Sequence, residues 1–485
     1  MTVDNFLVRL RACPLIASVQ ASDGSPFDHP DTLLRAARAS LRQGVRVIRL
    51  EGVKNARVMR PEVKGIVIGL LKRRYPGSEV YITPTAQDAD SMIELGCEVI
   101  AIDGTSRARP GNDTLADLIA HIHRRRKLVL ADIDTVESAE AAVAAGADMV
   151  STTLGGYTGA RDRTDGPDLE LLRAVVQRVR VPVMAEGRFT ARWEVEAALR
   201  IGAKGVVVGG ALNDPVKQTA AMLPRVPASD GKPVGAVDIG GTWLRFATFS
   251  ADWKLQEVDR TPNPPARQDR LDWIRAKLQA TGVERLGVST GGIVDPNSGE
   301  VWTAKEYLMP DHIGIRFHAA TLGVPTVAIG DGHATAWAHA CLPEFAGRRV
   351  ATLALGTGVG AGFVQQGKIW CGRRGEYPRI NDLPTRGGAS YEERLGGIHL
   401  SKTPDDAQRG MAIEALEDAI SVCRNLYFSD DIVIAGSVGL SDWMAPHHAR
   451  LGVTASPFGS DAGLYGAAAL VLFPPGWDPP LAPAI

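Results

Sequence analysis

Two strand ends carrying a lysine and a carboxylate, and three glycine turns, are where this 485-residue chain could do chemistry. Lys72 closes the apolar run GIVIGLLK (65–72), and Glu186 closes PVMAE (182–186). A lysine partly withdrawn from water has a lowered pKa and can act as a base near neutral pH. Lys72 could then remove a proton alpha to a carbonyl, with Glu186 moving protons on neighbouring oxygens. A structural Lys–Glu pair is the plainer alternative. Gln20, Arg49, Asp132, Thr153 and Arg188 also end or follow apolar runs. The turns holding Gly187 and Gly209-Gly210 could offer backbone N–H groups to a phosphate.

The second half carries a different set of turns. In VGAVDIGGT (234–242) Asp238 precedes Gly240, Gly241 and Thr242. ATLALGTGVGAGFV (351–364) holds Gly356, Thr357, Gly358 and Gly360, and VIAGSVGL (433–440) holds Gly436 and Gly439. A strand–turn–strand unit of this kind lets amides and a hydroxyl approach a triphosphate while a carboxylate holds hydrated Mg²⁺. GTGVGAG looks like a dinucleotide turn, but that reading needs a following helix. FVQQGKIW alternates instead, so a phosphate-binding hairpin is expected. Asp331 follows the apolar run PTVAIG (325–330), and is either a base or the N-cap of the helix HATAWAHA (333–340).

The elements behind these residues alternate. Apolar runs at 14–20, 45–52, 65–72, 98–105, 128–135, 149–156, 182–189 and 205–212 are separated by helical stretches such as 31–44, 136–146 and 191–202. Continuous apolar strands joined by helices predict a parallel sheet, and eight such units predict a (β/α)8 barrel rather than an open sheet. PRVPASDGKP (224–233) has no apolar period and reads as a linker. The expected domains are 1–226 and 234–473, with a Pro-rich tail at 474–485. A net charge of −1 gives no reason to invoke nucleic acid. No apolar run reaches the ~18 residues of a membrane span, and no signal peptide is apparent. Five scattered cysteines signal neither disulfides nor a zinc site. A cytoplasmic location is expected. His333, His339, His447 and His448 lack metal-ligand spacing, and Arg124–Lys127 reads as a solvated helix end.

GLLKRRYPGSEVYITPT (69–85), AIDGTSRARP (101–110), ADIDT (131–135), STTLGGYTG (151–159) and AEGRF (185–189) together resemble the N-acetylmannosamine-6-phosphate 2-epimerase family. The resemblance implies Lys72 as the acid/base at C2, Glu186 as its partner, and Gln20, Arg49 and Asp132 as ligands of the open-chain sugar. The family usually has Thr-Arg-Pro, with a substrate-contacting arginine, where this chain has Asn213-Asp214-Pro215, so either another cation such as Arg188 or Arg161 compensates or substrate binding is weakened. VDIGGT, STGGIVD (289–295), IGDGHATAWA (329–338) and LGTGVGAG (355–362) resemble the ROK group of the hexokinase, actin and Hsp70 superfamily. That resemblance implies a two-lobed, ATP- and Mg²⁺-dependent sugar kinase. Asp331 would be the base at the sugar C6 hydroxyl, with Glu376 and Glu392 as sugar ligands. The family's Asn before the base is Gly330 here, its His after Gly-Glu-x-Gly is Arg379, and its cysteine cluster is missing, with Ser390 at the last position. No structural zinc is therefore expected. The two resemblances imply phosphorylation of N-acetylmannosamine at O6 and C2 epimerisation to N-acetylglucosamine 6-phosphate, as in sialic acid breakdown, by a self-associating protein. The alternative is an epimerase with a degenerate kinase-like domain serving as scaffold or sugar sensor.

Overall fold

The computed structural model describes residues 1–22, 24–164, 166–223 and 231–478. They form two compact units, divided between Leu223 and Pro224. The linker expected at 224–233 and the tail at 474–485 fall mostly outside the described residues.

In the first unit, β1 (Leu15–Val19), β2 (Val47–Glu51), β3 (Ile66–Leu70), β4 (Val99–Asp103), β5 (Leu128–Asp132), β6 (Met149–Ser151), β7 (Val183–Glu186) and β8 (Gly205–Val208) close into a parallel barrel. All eight expected strands are present. Helices between them start at caps that the sequence supplies: Thr85, Thr114, Thr135 and Asp168 each accept a first-turn amide. Side chains alternate across each strand. Ile48 and Leu50 face the helical ring, whereas Val47, Ile66, Ile68, Leu130 and Met184 fill the lumen. An N-terminal helix, Val3–Ala12, buries Phe6 and Leu10 in that inner core.

The second unit has two sheets. One has the order β11 (Leu255–Pro262), β10 (Trp243–Phe249), β9 (Val234–Ile239), β12 (Leu286–Thr290), β15 (Thr326–Gly330). A small ribbon pairs β13 (Ile293–Val294) with β14 (Val301–Thr303). The other sheet runs β20 (Thr454–Ala455), β19 (Asp431–Ala435), β16 (Val350–Leu355), β17 (Val359–Gln365), β18 (Lys368–Trp370), β21 (Gly476–Asp478). Strand β21 lies inside the segment expected to be a tail. Each large sheet begins with an antiparallel hairpin around a glycine turn, β9–β10 and β16–β17. This is the two-lobed arrangement of the actin- and hexokinase-like kinases. Among the described residues no helix is long and apolar enough to cross a membrane.

Candidate active sites

Alternation along the strands brings the barrel's polar residues to one end of the lumen. Arg49, Asp132 and Glu186 share the inward face with Val47, Leu130 and Met184. Arg49 is 1% exposed, and its Nη1 and Nη2 donate to Asp132 Oδ1 and Oδ2 at 3.0 and 2.6 Å. Arg49 Nη1 also lies 3.2 Å from Glu186 Oε2. Burial works against the guanidinium charge, but Asp132 and Glu186 outweigh it and hold Arg49 firmly protonated. Thr153 Oγ1 sits 2.7 Å from Asp132 Oδ1 and 2.9 Å from Glu186 Oε2. Burial raises the pKa of Glu186 and Asp132 adds to the shift, while Arg49, the Thr153 hydrogen bond and Lys72 oppose it.

Lys72 lies two residues beyond β3, in step with the inward-facing Ile68 and Leu70. Its charge acts on Glu186. The expectation of a partly desolvated lysine is corrected: Lys72 is exposed. The barrel's own atoms do not withdraw it from water, because it stands past the last strand turn. What fixes it is the segment Tyr81–Thr83, which pairs with the chain at 71–73. Lys72 bridges antiparallel to Ile82, Thr83 N donates to Leu71 O at 2.8 Å, and Arg73 N donates to Tyr81 O at 2.9 Å. Thr83 is fully buried at φ 44°, a strained setting for a β-branched residue. Its Oγ1 donates to Ala101 O at 2.7 Å and accepts from Leu71 N at 3.1 Å. Nothing in the local sequence around Thr83 signals this.

Gln20 donates to Ser18 Oγ at 2.8 Å, beside Gly209. Arg188 has φ 59° and spends its donors on Gly166 O, Gly155 O and Thr164 Oγ1, each at 2.9 Å. These partners are neutral, so its charge is not cancelled by them. Arg161 is instead paired with Asp168 at 2.5 Å. Asp214 does not stand as an open anion at the glycine turn. It is buried, accepts from Ser22 Oγ at 2.7 Å, and caps the helix Pro215–Met222 through Lys217 N. Lys217 crosses Gly210, where an added Cβ would lie 3.0 Å from its Cδ.

In the second unit Asp331 is the first residue of the helix Asp331–Ala340, and Gly330 is its N-cap. The N-cap reading of Asp331 is therefore corrected. Its Oδ1 accepts the adjacent Gly332 amide at 2.7 Å. Burial pushes its pKa up to about 6, Asp238 and Glu392 push the same way, and Lys305 opposes them. Gly332 is needed here, since a Cβ would meet Ala361 O of β17 at 2.3 Å. This close approach seats the Asp331 helix on the second glycine hairpin. Gly240, Gly241 and Thr242 form the first turn, and Gly356 N donates to Gly358 O at 2.9 Å in the second. Gly360 lies on β17. Gly436 has φ 86°, and its Cβ would fall 2.4 Å from Leu355 O, so the third turn requires glycine there. Gly439 packs equally close, at 2.6 Å from Ile434.

Asp238 is not a free carboxylate. Its Oδ2 accepts from Arg245 Nη2 at 2.5 Å and its Oδ1 from Ser289 Oγ at 2.9 Å. Arg245 is its direct cross-strand neighbour in the β9–β10 hairpin, a pairing that the turn position could have revealed. Glu392 is buried, takes the Val359 amide on Oε2 at 2.9 Å, and pairs with Lys305 at 2.6 Å. Glu376 is not brought to them: it is exposed and accepts from Arg374 N at 2.8 Å within its own turn. Tyr377, next to it, feels both Asp331 and Glu392, and burial raises its pKa to about 12. Arg379 turns outward to Asp382 at 2.5 Å, and Ser390 caps the helix Tyr391–Leu395. His333 and His339 are buried packing residues, and burial lowers both to about 4.

Comparison with known proteins follows the same division. Residues 33–224 match the NanE family, described as "Putative N-acetylmannosamine-6-phosphate epimerase", and residues 234–381 match the ROK family. The bifunctional enzyme NanE/NanK of Brucella melitensis biotype 1 is 31% identical, over 96% of this chain and 98% of its own length. The N-acetylmannosamine-6-phosphate 2-epimerase structure from Clostridium perfringens is 37% identical over 45% of this chain and 94% of its own, with a TM-score of 0.44. The relative from Brucella contains both units in one chain and leaves almost none of this sequence unmatched, so this chain belongs to the bifunctional NanE/NanK family.

Proposed function

We propose that this chain phosphorylates N-acetylmannosamine at O6 with ATP and epimerises the product at C2 to N-acetylglucosamine 6-phosphate. The observation that carries the reading is the buried network of Arg49, Asp132, Thr153 and Glu186 under the charge of Lys72. It supports Lys72 and Glu186 as the two proton-moving groups, since the buried carboxyl feels the charge of the lysine. In its neutral amine form Lys72 takes the C2 proton and returns a proton to the opposite face of the planar intermediate. Glu186 exchanges a proton with the sugar oxygens, and Arg49 and Asp132, locked to each other, orient the open chain with Gln20. Gly187, Arg188, Gly209 and Gly210 receive the 6-phosphate.

In the second unit Asp331 accepts the C6-hydroxyl proton as O6 attacks the γ-phosphorus. Glu392 and Glu376 hold sugar hydroxyls, with Glu376 turning inward from its own loop to do so. The turns at Gly240–Thr242, Gly356–Gly360 and Gly436–Gly439 hold the nucleotide. When bound, Mg²⁺ neutralises phosphate charge. Asp238 suits a hydrated ion better than a directly ligated one, since both its oxygens already accept hydrogen bonds.

The test supplies the full chain with ATP and N-acetylmannosamine and follows ADP and both sugar phosphates. ADP formation with N-acetylglucosamine 6-phosphate as end product is expected. Epimerisation of supplied N-acetylmannosamine 6-phosphate without sugar-dependent ADP formation would make the second unit a scaffold or sensor.

A further inference from the structure

Lys305 lies in the loop after β14, in a stretch that carries no glycine-turn motif. Its ammonium is 2.6 Å from Glu392 Oε1. The other oxygen of Glu392 accepts the amide of Val359, the first residue of β17, at 2.9 Å. A Cβ on Gly358 would fall 2.6 Å from Glu392 Oε1, so the carboxylate is pressed against the glycine turn itself. The side chain of Lys305 is thus the outer end of a short chain of contacts running through Glu392 into the phosphate hairpin.

The same ammonium acts on Asp331 electrostatically, favouring its ionised form. The other groups acting on Asp331 are Asp238 on β9, Glu392, and the Gly332 amide, and Tyr377 feels the charge of both Asp331 and Glu392. Asp238 and Glu392 are carboxylates, and like charges hold a proton on a buried carboxyl. A base that stays protonated at neutral pH accepts nothing from a hydroxyl. The donors of the family pattern do not help, since Gly330 has no side chain and Arg379 is turned to Asp382.

We infer that Lys305 is a positioning residue of the phosphoryl-transfer site: it pins Glu392 against the Val359 amide and supplies the positive charge beside the Asp331 base. The inference rests on the proposed kinase reading. In the step itself the O6–H bond breaks and its proton passes to an Asp331 oxygen. O6 bonds to the γ-phosphorus, and the bond from that phosphorus to the β-phosphate oxygen breaks to release ADP. Lys305 gives and takes no proton.

The experiment measures sugar-dependent ADP formation by the full chain against pH for the wild type, Lys305→Met and Lys305→Arg. Binding of a fluorescent ADP analogue to each checks the nucleotide site. Lys305→Met should move the acid limb of kcat/KM upward by about one pH unit, the lower range for losing an opposite charge nearby. Its KM for N-acetylmannosamine should rise several-fold as Glu392 loses its anchor. Lys305→Arg should restore the limb. A limb left in place by Lys305→Met overturns the inference. If Lys305→Met no longer binds nucleotide, Lys305→Arg decides: a wild-type limb supports the charge role, and equal loss in both makes Lys305 a structural pin. A wild type that forms no ADP with the sugar at any pH overturns the kinase reading first, and this inference falls with it.

Discussion

Removing the ammonium of Lys72 is the most direct test at the scale of one residue. Lys72→Ala should slow epimerisation by ~10²–10⁴-fold, the usual cost of losing a general base, and leave sugar phosphorylation unchanged. Solvent deuterium should enter C2 in the wild type and not in the variant. Undiminished exchange would assign the proton transfer to another group. Asp331 offers a second test. Its pKa lies near 6 because burial and the neighbouring carboxylates disfavour the ionised form. The base is present above that value, so phosphorylation should fall as the pH drops through about 6. Asp331→Asn should abolish phosphorylation while nucleotide still binds. Retention of most of the turnover would point to a different base.

At the scale of elements, two close contacts position these residues. The Thr83 hydroxyl joins Leu71 N to Ala101 O and thereby holds the Lys72 segment against β4. Thr83→Val keeps the shape and leaves both backbone groups unpaired in the core, costing about 1–3 kcal/mol. A lower melting temperature and a lower epimerase kcat are expected together. A stable variant with a normal rate would show that the strained turn does not set the lysine. Gly332→Ala would drive a methyl into Ala361 O. The helix must lift from β17 and carry Asp331 with it, so phosphorylation should fall more steeply than nucleotide affinity. Equal losses in both would mean that the hairpin, not the base, had moved.

At the scale of the whole chain, each unit has its own core. Phe6, Ile68, Leu130 and Met184 pack inside the first, whereas Val237, Phe246, Ile274 and Val288 pack within the second. Residues 1–223 expressed alone should therefore unfold in one cooperative transition and epimerise at the rate of the full chain. Insolubility of that piece beside a stable full chain would show that the division at Leu223 cuts something that folding requires.

Strand alternation and glycine turns are local properties, and they were legible. The eight apolar runs became the eight barrel strands. The hairpin reading of LGTGVGAG also held, because FVQQGKIW has the period of a strand and β17 is one. Arg49, Asp132 and Glu186 were readable as strand-end residues, and closure of the barrel brought their inward faces together. Other features depend on partners far away in sequence, and only the tertiary structure decided them. Thr153 lies between two carboxylates from different strands, and burial in that network raises the pKa of Glu186. Lys72 reads as partly desolvated from its apolar run yet stands exposed past the strand end. Asp214 reads as a misplaced charge but is a helix cap tied to Ser22 across the barrel's first and last turns. Lys305 and Glu392 are separated by many residues and share no local motif, and only folding sets them 2.6 Å apart. Sequence spacing fixes which side of an element a residue occupies, while charge state and distance between elements follow from burial and closure.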